Sequence, residues 1–105
     1  KVEIHVNTDS NIDGGADLAA QVEAAVEGAL RRFARRVTRV EVHLKDVNSV
    51  KGGADDIRCA LEARPAGLQP VAVTHNAGTP LEAVSGATDK LTRVLDSTLG
   101  RLGQR

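Results

Sequence analysis

Hydrophobic and polar residues alternate in four short segments of the chain, with the two-residue period of a β-strand that buries one face. The four segments are residues 2–6, 39–47, 56–64 and 69–75. In the first, Val2, Ile4 and Val6 face the predicted core, and the polar residues between them face solvent. The fourth carries Pro70 near its start, which favours the edge of a sheet because proline cannot donate to a neighbouring strand.

Two other segments place apolar residues at the three- and four-residue spacing of an amphipathic helix. The first begins at Asp17 and ends in arginines, which suits the helix dipole. Its apolar residues are Leu18, Val22, Ala25, Val26, Ala29, Leu30 and Phe33. The second begins where Thr79 can cap the helix, Pro80 suits the first position and Glu82 completes a capping box. Its apolar side consists of Val84, Ala87, Leu91, Val94, Leu95, Thr98 and Leu102.

The predicted elements follow the order β-α-β-β-β-α. A helix between the first two strands makes them parallel if they are neighbours, and short connections make the other pairs antiparallel. With both helices on one face, the fold is predicted to be α+β, a two-layer sandwich whose four-stranded sheet is open to solvent on its other side. The length suits one core, so we expect residues 1–105 to form a single domain.

Composition limits the classes of function. The 105 residues carry 14 basic and 14 acidic side chains, so the net charge is zero and no global field attracts nucleic acid or a membrane. The single cysteine, Cys59, cannot form an internal disulfide, and it alternates with Ile57 and Leu61 like a small core residue. The chain does not start like a signal peptide, and no apolar run approaches the roughly 20 residues of a membrane span. We therefore expect a cytoplasmic protein.

Two short motifs resemble ligand-binding loops without matching them. The "KGG" of residues 51–53 lacks the strand-to-helix setting of a nucleotide-binding loop, and it is predicted to form the hairpin between the second and third strands. Asp9, Asn11 and Asp13 begin like a calcium loop, but the twelfth position is Ala20 and a strand precedes the loop where a helix is required. Neither nucleotide nor calcium binding is predicted.

Catalytic and metal chemistry have little support in the sequence. His5 and His43 are expected on the open sheet face beside Glu41 or Glu62, a set that could hold a metal ion. Because no local ligand spacing accompanies them, solvated imidazoles are the favoured interpretation. His75 follows the alternation of its strand and is expected to be partly covered. No nucleophile, base and oxyanion donors come together, so we predict no enzyme, no cofactor and no small-molecule substrate.

Basic residues cluster in two places. Five arginines mark the end of the first helix and the approach to the second strand: Arg31, Arg32, Arg35, Arg36 and Arg39. Three basic residues form a stripe on the second helix: Lys90, Arg93 and Arg101. Guanidinium groups suit phosphate oxygens, so the two clusters are candidates to bind phosphate groups. Solvated helix faces have the same pattern, and charge alone does not separate the two interpretations.

Two longer stretches carry a resemblance to a known family. The first is "VEVHLKDVNSVKGGADDIRCALEARPAGLQPVAVTH", residues 40–75, and the second is "PLEAVSGATDKLTRVLDSTL", residues 80–99. A glycine-bearing hairpin, a strand with an "IRCALE" core and a helix with an "ATDKL" run are similar to the ribosome hibernation promoting factor family. That family, also known as sigma modulation proteins, includes the ribosome-associated inhibitor proteins.

The resemblance implies a domain similar in shape to double-stranded RNA-binding domains. It implies binding to the small ribosomal subunit in the decoding channel, where the protein blocks messenger and transfer RNA during stress or stationary phase. The implied RNA-binding residues are Arg31, Arg32, Arg35, Arg36, Lys90, Arg93 and Arg101, with Lys45 and Arg58 as weaker candidates on the sheet face. The chain ends just after the second helix, so we expect a short-form member without the C-terminal dimerisation domain, monomeric off the ribosome.

One alternative function stays open. A regulatory protein-interaction module would keep this fold without binding ribosomes, and it would use the open sheet face around His5, His43, Arg58 and Glu62. Sedimentation with small subunits distinguishes the two functions.

Overall fold

The computed structural model describes residues 2–47 and 57–103, with side chains up to residue 100. Its elements have the predicted β-α-β-β-β-α order. They are β1 (Glu3–Thr8), α1 (Gly15–Ala29), β2 (Val37–Asp46), β3 (Ile57–Pro65), β4 (Val71–Ala77) and α2 (Pro80–Gly103), with one 3₁₀ turn at Arg31–Phe33. The predicted hairpin bend at residues 51–53 lies outside the described residues.

The four strands form one sheet in the order β1-β2-β3-β4. β1 pairs with β2 in parallel, and the other two pairs are antiparallel. The predicted α+β fold is therefore confirmed, including the parallel pair that a helical crossover requires. Pro70 lies just before β4 instead of within it, and β4 is an edge strand, where a preceding proline interrupts no ladder.

An aliphatic core lies between the sheet and the two helices. The two central strands, which are paired along both edges, contribute side chains that are at most 2% exposed: Val40, Val42, Leu44, Cys59, Leu61 and Ala63. The helices cover them with a second set: Leu18, Val22, Val26, Ala83, Val84, Ala87, Leu91, Leu95 and Leu99. The edge strands are only half-buried on the same face, as Ile4 and Val73 show. The alternation of the four strands thus predicts the buried face correctly.

The buried side of each helix differs from the apolar side that was predicted. Ala25 and Ala29 are exposed on α1, and Val94 is 38% exposed on α2, although all three were expected on the apolar side. In α2, Leu91 and Leu95 lie one turn apart on the buried face, and Val94 is displaced by about 100° from Leu95.

The first helix also ends earlier than its composition predicts. Leu30 leaves the helical conformation, with φ −101° and ψ 10°, and its N–H donates to the carbonyl of Val26 at 3.0 Å. The N–H of Phe33 donates to the carbonyl of Leu30 at 2.9 Å and starts the 3₁₀ turn. This tighter turn places Leu30 and Phe33 on the same side, so both are buried. The arginines that follow therefore lie beyond α1, and the helix dipole does not explain them.

Thr79 caps the second helix, as predicted. The hydroxyl oxygen of Thr79 accepts the N–H of Glu82 at 3.2 Å, and it also lies 3.0 Å from Oε1 of Glu82. Pro80 occupies the first helical position. The N-cap therefore satisfies a backbone donor that no residue of the helix can pair.

Gly86 lets α2 approach β4 closely. A Cβ at this position would lie 2.0 Å from Cδ2 of His75, so the imidazole packs directly on the helix backbone. This contact explains why His75 is partly covered, as its place in the alternation predicts. Replacing Gly86 by alanine forces the ring to move. We expect Gly86→Ala to lower the free energy of unfolding by about 1 kcal/mol, since overpacking outweighs the gain in helix propensity.

Gly100→Ala is the matched control in the same helix. A Cβ on Gly100 meets nothing within 4 Å, so this change should leave the free energy of unfolding unchanged or raise it. Urea denaturation followed by circular dichroism compares the two variants. A Gly86→Ala protein as stable as the Gly100→Ala protein would show that the His75 ring does not hold α2 in place.

Candidate nucleic-acid interface

The stretch "LRRFARRV", residues 30–37, exposes arginines and buries the residues between them. Leu30, Phe33 and Val37 are at most 5% exposed. Four arginines alternate with these anchors on the outside: Arg31, Arg32, Arg35 and Arg36. We call residues 31–36 the arginine segment. Its basic side chains point to solvent because the apolar residues that flank them belong to the core.

Backbone hydrogen bonds hold the arginine segment in one conformation. The N–H of Ala34 donates to the carbonyl of Arg31 at 3.2 Å, and that of Arg36 donates to Phe33 at 2.9 Å. The turn after β3 is attached as well, because the N–H of Ala66 donates to the carbonyl of Arg36 at 2.7 Å. The four guanidinium groups thus extend from a backbone that is ordered in advance of any ligand.

Three of these arginines have unpaired charges. Arg31, Arg35 and Arg36 are exposed, and none forms an ion pair with any residue that the structure describes. A guanidinium group without a carboxylate partner has all of its donors available for phosphate oxygens. With respect to the described residues, the segment therefore presents three free cations.

Arg32 is different because Asp96 of α2 neutralises it. Both terminal nitrogens of the guanidinium group donate to the carboxylate, Nη1 to Oδ1 and Nη2 to Oδ2, the latter at 2.8 Å. The guanidinium carbon also lies 4.2 Å from the centre of the Phe33 ring, within range of a cation–π contact. The hydrogen bonds lower the pKa of Asp96 and raise that of Arg32. Sequence reasoning grouped Arg32 with its neighbours, whereas the structure separates it.

The predicted stripe on α2 is less uniform than its spacing indicates. The ammonium group of Lys90 donates to the carbonyl oxygen of Thr74 on the edge strand β4 at 2.8 Å. Two of its three donors stay available, since the side chain is exposed. Arg93 is exposed and forms no ion pair with the described part of the chain. Arg101 belongs to α2, but its side chain lies outside the described residues.

The weaker candidates lie together on the open sheet face. Lys45 and Arg58 are directly opposite each other on β2 and β3, and both are exposed. Arg58 also donates to Oδ1 of Asn76 on β4 at 3.3 Å. Two like charges at opposed positions repel each other, so an anion between them would be stabilising.

Elsewhere on the open face, charges pair among themselves. Arg39 donates through Nε to Glu41 at 2.8 Å and lies 3.6 Å from Glu3. Arg64 lies 3.3 Å from Glu62. The hydrogen bond from Arg39 keeps the pKa of Glu41 below its usual range. Arg39 therefore contributes less free positive charge than its place beside the arginine segment predicts.

The histidines of the open face contact carboxylates rather than one another. Nε2 of His5 lies 3.0 Å from Glu3, and Nε2 of His43 lies 3.9 Å from Glu41. The contact with His5 lowers the pKa of Glu3. Within residues 2–47 and 57–103, no three His, Cys, Asp or Glu side chains are arranged to hold a metal ion.

The loop after β1 uses its first aspartate for a turn. Oδ1 of Asp9 accepts the N–H of Asn11 at 3.1 Å, which is an Asx-turn rather than a ligand arrangement. A shallow depression of about 300 Å³ lies beside this loop and is lined by Asn7, Thr8, Asp9, His43, Leu44 and Lys45.

Cys59 is enclosed in the core, as its alternation predicts. It is fully buried, and burial raises the pKa of its thiol to about 12. The reactive thiolate is therefore almost absent from the folded protein at pH 8. We expect a thiol reagent to modify the protein at pH 8 only as fast as the domain unfolds, with rapid labelling once urea is added. Fast labelling of the folded protein would contradict this assignment.

The family of the chain follows from a sequence match. A family model described as Sigma 54 modulation protein / S30EA ribosomal protein matches residues 4–102. The chain belongs to this family. Members of the S30EA family are ribosome-associated factors without enzymatic activity, which confirms the predicted family and the prediction that the protein is not an enzyme.

Two solved structures are similar to this S30EA-family chain. The N-terminal domain of Protein Y from Thermus thermophilus is 18% identical, covers 92% of this chain over 99% of its own length, and has a TM-score of 0.65. A ribosomal subunit interface protein from Coxiella burnetii is 13% identical, with coverages of 94% and 99% and a TM-score of 0.68. At these identities the likeness shows a shared fold. None of the curated proteins matches the chain significantly in sequence.

The structure adds one residue that sequence reasoning missed. Asp96 pairs with Arg32 across a sequence separation of 64 residues, and no local spacing connects the two positions.

Among the described residues, no helix is both long and apolar enough to span a membrane.

Proposed function

We propose that this S30EA-family protein is a ribosome hibernation factor that binds the small ribosomal subunit in the decoding channel. It would act by steric occlusion, occupying the space of messenger and transfer RNA. The observation that carries this proposal is the set of three exposed arginines on the arginine segment that have no ion-pair partner in the described part of the chain, and the segment's backbone is fixed by hydrogen bonds. Side chains on an ordered backbone bind phosphates at a lower entropic cost than side chains on a backbone that must first be ordered.

The positions of individual basic side chains matter for RNA binding by this protein, because its net charge is zero. Attraction to RNA cannot come from the chain as a whole, so it depends on where the cations lie. In the chain up to residue 36, the described acids precede the arginine segment, and the segment itself contains no acid. Among the four arginines of the segment, the described residues supply a carboxylate partner only to Arg32.

The other basic residues would act as secondary contacts. Arg93 on α2 has no ion-pair partner among the residues described, and Lys90 keeps two donors beside the edge of β4. Lys45 and Arg58 form a separate pair on the open sheet face. A ribosomal partner would place the protein in the cytoplasm, in agreement with the location expected from the sequence.

A second candidate function is a protein-interaction module that does not bind ribosomes. The pairing of Arg39 with Glu41 and of Arg64 with Glu62 favours it, because a face with balanced charges suits a protein partner better than RNA. In that case the exposed His5 and His43 would belong to the interface.

Co-sedimentation with purified small subunits at several salt concentrations separates the two functions. A hibernation factor should pellet with the subunits at low salt and should be released as salt rises, because phosphate binding displaces counterions. An excess of messenger RNA with transfer RNA should also displace it from the decoding channel. If the protein is absent from the pellet at the lowest salt, ribosome binding is rejected. If messenger RNA and transfer RNA do not displace it, the decoding channel is rejected as its binding site.

A further inference from the structure

The pair formed by Arg32 and Asp96 has the geometry of a phosphate contact. The carboxylate presents two oxygens to two guanidinium nitrogens, as a phosphate group does when arginine binds it through parallel hydrogen bonds. Among the four arginines of the segment, Arg32 alone has an ion-pair partner within residues 2–47 and 57–100. The carboxylate of Asp96 therefore occupies the position that an RNA phosphate would take.

This pair can exchange its acidic partner. The side chains of Arg32 and Asp96 are 58% and 54% exposed, so water screens their attraction and a phosphate can reach the guanidinium group. The pair of Arg39 with Glu41 is different, because Glu41 is only 19% exposed. The contact with the Phe33 ring, 4.2 Å from the guanidinium carbon, would keep Arg32 in place while the acidic partner changes.

We propose that Arg32 is a fourth phosphate-binding residue of the arginine segment and that Asp96 masks it in the free protein. On RNA, a phosphate takes the place of the carboxylate, and Asp96 turns to solvent. Asp96 thereby lowers the affinity for RNA without contacting it. This inference rests on the proposed function, since it assigns a regulatory residue to the same surface.

Asp96→Asn tests the masking, and Asp89→Asn is its matched control. Both substitutions remove one negative charge from an exposed position of α2, and the hydrogen bond recorded for Asp89 uses its backbone carbonyl alone. Affinity is measured for small subunits and, separately, for a fluorescent single-stranded uridine oligonucleotide. We expect Asp96→Asn to bind both probes about threefold more tightly than Asp89→Asn does.

The same substitutions in an Arg32→Gln protein show whether the gain in affinity from Asp96→Asn depends on Arg32. In an Arg32→Gln protein, Asp96→Asn should gain no more affinity than Asp89→Asn, because no guanidinium group is left to unmask. Asp96→Glu keeps a carboxylate and should bind like the original protein. Thermal melting verifies that each variant is folded, so that a loss of structure is not mistaken for a loss of binding.

The results separate this inference from the proposed function. Equal affinities of Asp96→Asn and Asp89→Asn on both probes would overturn the masking, as would an extra gain that persists in the Arg32→Gln protein. Coupling that appears on the oligonucleotide while small subunits do not bind would support the masking and reject the ribosomal function.

Discussion

Replacing Arg31, Arg35 and Arg36 together by glutamate is expected to lower the affinity for the small ribosomal subunit by about a hundredfold or more at about 100 mM salt. Each substitution removes a cation from a phosphate and puts a negative charge in its place. The slope of log affinity against log salt should become shallower by about two to three units, since each lost phosphate contact removes about 0.7 to 0.9. Co-sedimentation over a salt series measures both quantities.

A pair of double variants identifies which surface binds RNA. Arg35→Glu with Arg36→Glu changes the net charge by the same amount as Lys45→Glu with Arg58→Glu, but the second pair lies on the open sheet face. If the arginine segment is the main contact, the first double variant loses far more affinity. A larger loss from the sheet-face pair would show that the open face carries the RNA instead.

These charge changes should leave the fold intact. The three arginines are exposed and have no ion-pair partner among the described residues, so their replacement breaks no contact that the structure shows. Surface substitutions of this kind seldom alter stability much. A weakened variant with an unchanged melting temperature would therefore have lost binding and not structure.

Leu95→Ala is expected to lower the free energy of unfolding by about 3 kcal/mol, the largest effect on stability predicted for this chain. Leu95 is fully buried in the layer between α2 and the sheet. The core contains a single aromatic side chain, so leucines and valines supply most of its volume. Domains of this size have a total stability of roughly 5–15 kcal/mol, and a loss of 3 is a large part of it.

Valines on the same helix provide the controls. Val84 is 1% exposed and Val94 is 38% exposed, although the helical spacing predicts both on the apolar side. Val84→Ala should cost about 2 kcal/mol, and Val94→Ala should cost less than about 0.5. Urea denaturation measures the three variants. Equal costs at positions 84 and 94 would mean that Val94 packs against the core.

The strands illustrate how much of the fold local sequence can predict. The register pairs Leu44 with Cys59 and Leu61 with Val73, and these are the residues that alternation places on the inner face. Alternation succeeds because successive side chains of a strand must point to opposite faces, whatever lies beyond the strand. The capping of α2 by Thr79 is equally local and was predicted for the same reason.

The helices show where this reasoning stops. Spacing predicts which side of a helix is apolar, but the width of the buried stripe depends on how many neighbours surround the helix. Ala25, Ala29 and Val94 are exposed although their spacing places them on the apolar side. The end of α1 at Ala29 is likewise decided by packing, since a 3₁₀ turn was needed to bury both Leu30 and Phe33.

Some features of the candidate site likewise follow from the sequence, and others follow only from the tertiary structure. The sequence by itself determined the order of the elements, the buried face of each strand, the family and the exposed arginines between Leu30 and Val37, because all of these depend on residues close together in the chain. Only the tertiary structure decided that Arg32 is paired with Asp96, that Lys90 contacts β4 and that Arg39 is neutralised by Glu41. Whether a charge is free depends on which side chains folding brings within hydrogen-bonding distance, and no spacing along the chain states that.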